Sequence, residues 1–210
     1  MCDGSGCCII DKIRICLLPV FSTGDAWKSN RSGLTCENRM IIQATDRLRL
    51  VAGTKTLAAV EIEDRVEFAK VLGALVPETW PPDNLRDTSD YFYGLYKEHP
   101  EWESWLTWYA IRSENDCPML CGSIGFKGPP DKRGRVEIGY SVLPEFQGQG
   151  LATEMVAAMV KWAKHRPEVR RIEAETGIDN KASIRVLEKN SFTCVGAGLE
   201  PNTMRFLHRS

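Results

Sequence analysis

At 210 residues, with 27 Lys plus Arg against 28 Asp plus Glu and a formal charge of −1, the chain is long enough for one domain with a proper core and too short for two large ones. This balance supplies no field that would gather on nucleic acid or an anionic membrane, so neither is expected as a partner. The eight cysteines sit in a chain larger than small stapled domains, without paired CxxC units or suitably spaced histidines, so free thiols in a reducing cytoplasm and no metal are expected.

Residues 1–40 differ in texture from the rest. They hold five of the eight cysteines and an apolar run, CCIIDKIRICLLPVF, which Asp11, Lys12 and Arg14 interrupt. The run therefore reads neither as a signal peptide nor as a membrane span. A poorly ordered extension is expected over 1–40, with 41–210 as the folded domain. There, Arg47–Val51 alternates as a short strand. Residues 57–73 read as one or two helices, with Ile62, Val66, Ala69 and Leu72 at helical spacing. VPETWPP then fixes an extended surface connection, because proline lacks an amide donor and restricts its predecessor. Residues 83–98 are expected to be helical and to carry YFYGLY.

From Trp105 the period changes. WLTWYAI and MLCGSIGF form a hairpin across RSENDCP. After the turn GPPDKRG comes a third strand, VEIGYSVL, with Val136, Ile138, Tyr140 and Val142 on one face and Glu137, Gly139 and Ser141 on the other. Residues 149–165 predict an amphipathic helix with Leu151, Met155, Met159 and Trp162 along its apolar stripe, ending at Pro167. VRRIEAET supplies another strand. Asp179 and Asn180 are cap-type residues before a second helix, ASIRVLEKN. Residues 192–195 and 204–208 are strand candidates that would end the sheet.

The junction between VEIGYSVLP and the 149–165 helix, EFQGQGLATE, carries the chemistry. A helix begins with amides that lack an intrahelical partner and with the positive end of its dipole, so glycines just before it let main chain approach an anion. Neither GxxxxGK[ST] nor GxGxxG is present. A tight turn joining strand to helix would use the same glycines.

Gln147, Gly150 and Ala152 match the pattern Q/R-x-x-G-x-G/A, and DNKASIRVLEKNSF follows further along. With VPETWPP, GSIGFKGPP, VEIGYSVLPEFQGQGLATE and ETGIDNKASIRVLEK in the family's order, residues 46–208 resemble the GNAT family of acyl-CoA-dependent N-acetyltransferases, notably the branch containing the ribosomal-protein alanine acetyltransferases. The resemblance implies a mixed α/β fold whose central, largely antiparallel, splayed sheet is flanked by helices. It also implies acetyl-CoA as cosubstrate, its pyrophosphate on the backbone of Gln147, Gly148, Gln149, Gly150, Leu151 and Ala152. The pantetheine arm would run beside Ser141, Val142 and Leu143, where strand 136–143 splays from strand 170–176.

Asn180 corresponds to the family's pantetheine contact, though a plain helix cap would also use Asn, and Ser183 lies one turn on. Glu137, a charged residue on an otherwise apolar strand, is the candidate base acting through water; an ordinary solvated strand residue is the alternative. An oxyanion donor near Ser141 or Val142 requires the family's bulge in this strand. Relatives often place a Tyr acid where this chain has Leu187, which leaves Ser183 as the remaining acid candidate, with helix packing as its other role. Ser191 stands where relatives usually have Gly.

On the acceptor side Trp80, Tyr91 and Trp105 are the pocket candidates, an aromatic wall suited to an amine through cation–π contact. Core packing, or for Trp80 a loop anchor, is the competing role. The expected function is acetyl transfer from acetyl-CoA to a primary amine, on a peptide N-terminus or a small molecule, by direct attack in a monomer or homodimer. The alternative is an acyl-CoA-binding regulatory module without turnover, for which Leu187 is the motive.

Overall fold

The computed structural model describes residues 40–86, 88–114 and 117–209, without the side chains of Asn84 and Glu114, so the expectation for residues 1–39 lies outside the described residues. Eight strands form the sheet: β1 (Ile42–Ala44), β2 (Leu48–Ala52), β3 (Thr107–Glu114), β4 (Cys117–Phe126), β5 (Arg135–Val142), β6 (Arg171–Gly177), β7 (Phe192–Ala197) and β8 (Thr203–His208). Their order is β1-β2-β3-β4-β5-β6-β8-β7. Every neighbouring pair is antiparallel except β5 and β6. The mixed α/β class and the largely antiparallel sheet are as expected.

Alternation along the strands sends successive side chains to opposite faces, and each face acquires its own helices. Leu48, Leu50, Trp108, Ala110, Val136 and Ile138 pack against α4 (Leu151–Lys164), whose apolar stripe buries Leu151, Met155, Val156, Met159, Val160, Trp162 and Ala163. Such side chains contribute about 1.5–3 kcal/mol each on full burial, which fixes α4 against the middle of the sheet. On the other face Val51, Tyr109, Ile111 and Leu120 pack with Leu57, Phe68 and Leu72 of α1 (Lys55–Glu63) and α2 (Arg65–Leu72).

Residues 57–73 form two helices because Asp64 leaves helical geometry at φ −148° and caps the second. Its carboxylate accepts from Val66 N at 2.9 Å and Glu67 N at 3.0 Å. That break rotates the expected stripe out of phase. Ile62 and Val66 are 41% and 60% exposed, and Phe68 is buried instead. Residues 83–98 are likewise not one helix: a 3₁₀ turn at Asp83–Leu85 precedes α3 (Ser89–Glu98). α5 (Lys181–Lys189) is capped by Asn180, whose Oδ1 accepts from Ser183 N at 3.0 Å. Ser191, just beyond it, takes φ +62°, the left-handed conformation for which glycine is the usual residue.

Two irregularities shape the middle of the sheet. β5 and β6 pair only from Arg135–Glu137 to Arg171–Glu173 and then part, so the β6-facing edge of Ile138–Val142 has no strand beside it. The bulge lies on β4 rather than on β5. Cys121 is the extra residue between the Ala110–Gly122 and Ile111–Leu120 pairs, and β5 keeps regular register with β4 from Ile138 to Val142. The bulged Cys121 carbonyl accepts from Leu143 N at 3.0 Å and so anchors the end of β5.

Candidate active site

The parting of β5 and β6 opens into a cavity of about 870 Å³ that runs from α1 and α3 to the start of α4 and α5, within the size range of small-molecule sites. Its coenzyme-like end is main chain. Gly148 and Gly150 have φ of +73° and +79°, a conformation that a Cβ would strain. Among the described residues, none of the backbone hydrogen bonds between elements uses the amides of residues 148–153. Six successive donors therefore stand at the positive end of α4.

The cradle is braced from outside. Arg47 donates through Nη1 to Gln149 O at 2.9 Å and through Nε to Glu154 at 2.7 Å. Thr45 Oγ1 bonds the same carboxylate at 2.5 Å. Gln149 bonds Glu145 O and Arg112 with its side chain, and Gln147 Nε2 donates to Val142 O at 2.9 Å.

Along the next wall lie Ser141, Val142, Gln147, Asn180 and Ser183. Leu143 does not join them. Its side chain is in the core and its amide is taken by Cys121, so its assignment to the coenzyme path is corrected. Without a bulge in β5, the condition set for an oxyanion amide at Ser141 or Val142 is also absent. Tyr140, on the α4 face of β5, reaches α5, where its hydroxyl lies 2.9 Å from Ser183 Oγ. Burial pushes the Tyr140 pKa up, and the bond to Ser183 opposes the shift.

The far end is built from side chains. Trp80 lines the cavity, yet is only 5% exposed, because Nε1 donates to Glu61 Oε1 at 2.8 Å and the ring tilts against Tyr109 at 6.0 Å. Tyr109 OH donates to Glu61 Oε2 at 2.6 Å. Burial pushes the Glu61 pKa up, while the bonds from Tyr109 and Trp80 pull it down. Glu61 was missed in the sequence because on α1 it resembles any solvated acidic residue.

The other acceptor candidates are not at the site. Tyr91 is 63% exposed and packs its ring on Phe92, and Trp105 is 7% exposed among Phe126 and Trp162 in the core. Neither lines the cavity. Glu137 is also off the wall. It sits on the last rung where β5 still pairs with β6 and forms an ion pair with Lys127, whose side chain is on the wall.

The GNAT acetyltransferase domain model (Acetyltransf_3) matches residues 55–193. The uncharacterized N-acetyltransferase YjdG of Bacillus subtilis (strain 168) is 28% identical over 153 residues, 73% of this chain and 90% of YjdG. Among solved structures, the acetyltransferase that modifies the N-terminal serine of ribosomal protein L7/L12 in Salmonella typhimurium superposes with a TM-score of 0.53 at 18% identity, covering 79% of this chain and 96% of that one. The microcin C7 self-immunity acetyltransferase MccE, solved with acetyl-CoA and AMP, superposes with a TM-score of 0.55 at 16% identity over 79% of this chain and 94% of that one.

Proposed function

The chain belongs to the GNAT acetyltransferase family and is an N-acetyltransferase, and from that premise we propose that it moves acetyl from acetyl-CoA to a primary amine by direct attack. The observation that carries this reading is the run of amides at residues 148–153, opened by two glycines of positive φ, of which all but Gln149 line the same cavity as the stretch of β5 that has parted from β6. A diphosphate suits a run of main-chain donors at a helix start, and an amide-bearing pantetheine arm suits a strand edge that has parted from its neighbour, which it can pair like an added strand. Asn180 uses Oδ1 as the α5 cap and keeps its amino group for a carbonyl of that arm.

Acetyl-CoA supplies an activated thioester. The amine nitrogen forms a bond to the acetyl carbon, the carbon–sulfur bond breaks, and the electron pair leaves on sulfur. The hydrogen bond between Ser183 and Tyr140 supports Ser183 as the hydroxyl that returns a proton to the thiolate. This pairing draws one partner from the sheet and one from the helix, and so stands in for a Tyr at the position of Leu187, which is buried.

Titration calorimetry with CoA, followed by thiol release from acetyl-CoA with a panel of primary amines, tests the reading. Saturable CoA binding that ATP does not displace, together with amine-dependent thiol release, is expected. Absence of CoA binding, or displacement by ATP, would overturn it.

A further inference from the structure

Resting on the acetyltransferase reading above, we infer that Glu61 is the seat of the acceptor: its carboxylate receives the ammonium of a primary amine flanked by an apolar segment and takes the proton that must leave before attack. Three observations converge on this residue. First, it lines the cavity that also holds the amide cradle. Second, its two oxygens are oriented by separate donors, Trp80 Nε1 at 2.8 Å and Tyr109 OH at 2.6 Å, and each oxygen retains acceptor capacity. Third, among the described residues no Lys, Arg or His nitrogen forms an ion pair with it.

The groups around Glu61 supply no compensating charge. Tyr109 and Tyr96 are neutral, since burial pushes both hydroxyl pKa values up. Arg65, one turn beyond, is committed to the carbonyls of Val76, Pro77 and Trp80. Glu103, an anion felt at Tyr96, accepts from Lys55 N. A partly buried carboxylate without a cation, on a cavity wall, is electrostatically complementary to a cationic ligand. Desolvation also raises its proton affinity toward that required of a general base.

The surroundings restrict the class of amine. The cavity that Glu61 lines is also walled by Ala58, Trp80, Pro81, Leu85, Phe92 and Tyr96, which suits an apolar flank. Among the described residues the other carboxylate on the wall, Glu175, is taken by Thr203 Oγ1 and the Glu200 amide, bonds that hold its pKa down at about 2. The remaining charged wall residues, Lys127, Arg185 and Lys189, are cations. One seat therefore serves one ammonium, and the second ammonium of a polyamine would find none. Protons balance: the ammonium gives one to Glu61 and on to solvent, the nitrogen loses a second as the amide forms, and the thiolate gains one.

The test compares wild type with Glu61→Gln and Tyr109→Phe, using phenethylamine, spermidine and a peptide with a free apolar N-terminus as probes. Wild type is expected to favour phenethylamine or the peptide over spermidine at least tenfold in kcat/KM. Glu61→Gln should lower kcat/KM by about 100- to 1,000-fold and abolish the acidic limb of the pH profile, while CoA affinity measured by calorimetry stays within about twofold. Tyr109→Phe should move that limb to higher pH, because the lost bond lowered the Glu61 pKa. Retention of activity and of the acidic limb in folded Glu61→Gln overturns the proposal, as does a preference for spermidine. Failure of the wild type, supplied with acetyl-CoA, to acetylate either phenethylamine or the peptide also overturns it. Loss of CoA binding by wild type would instead strike the underlying acetyltransferase reading.

Discussion

The two ends of the cavity are made of different material. The end proposed for the coenzyme is main chain, the amides of residues 148–153 beside the Arg47–Glu154 brace. The end proposed for the acceptor is side chain, gathered from α1, the Trp80 loop, α3 and β3. Backbone recognition tolerates most sequence change and is broken by adding atoms, whereas side-chain recognition is broken by removing a donor or a charge. The two ends should therefore fail separately, and each substitution below separates them.

Apart from Glu61→Gln, the largest effect is expected from Gly150→Val. At φ +79° a β-branched residue is strained by about 1–2 kcal/mol, while the added Cβ meets nothing closer than Arg47 Nη2 at 3.5 Å. The variant should fold with a lowered melting temperature. Its branched side chain stands where a diphosphate must approach the amides, and the CoA Kd should rise about 100-fold, equivalent to about 2.7 kcal/mol. An unchanged Kd in the folded variant would erase the distinction between the two ends.

Trp80→Phe attacks the other end. It keeps an aromatic ring but deletes the Nε1 donor to Glu61, at a cost of about 1.5–3 kcal/mol for a hydrogen bond to a charged group. KM for the amine should rise about tenfold with CoA affinity unchanged. The pH dependence has a definite sign. Glu61 holds its proton more tightly folded than unfolded, so its contribution to stability is fully present below the unfolded pKa and is lost as pH rises through the folded one. Removing Trp80 Nε1 raises the folded pKa further. The melting-temperature gap between variant and wild type should therefore widen as pH rises and narrow as it falls, and a gap independent of pH would show that the bond does not act on Glu61.

This division also explains what the sequence revealed. A main-chain site is written locally: QGQGLA, the α4 stripe and the Asn180 cap are contiguous patterns with fixed periods, and each appears in the structure where it was expected. The acceptor end depends on which side chains several segments bring together. Trp80, Glu61 and Tyr109 come from a loop, α1 and β3, and meet where the indole and the phenol both bond one carboxylate. No local period in the sequence records that meeting. Trp105 and Tyr91 illustrate the reverse error, since aromatic character suits a core stack or an exposed helix face as well as a pocket.

Glu137→Gln should produce the smallest effect and sharpens the comparison most. Its face was read correctly: Glu137 points opposite to Val136 and Ile138, which lie in the α4 core. Its position along the strand takes it off the cavity wall, because the sheet is still closed at the Glu137–Glu173 rung and opens only from Ile138. There it pairs with Lys127, whose exposed side chain limits the worth of the bridge to about 0–1 kcal/mol. Substitution should lower kcat/KM by less than about threefold, a shift of about 0.6 kcal/mol, with the acidic limb of the pH profile intact. A 100-fold loss with disappearance of that limb would instead place the base on β5, and Glu61 would then be left with binding alone.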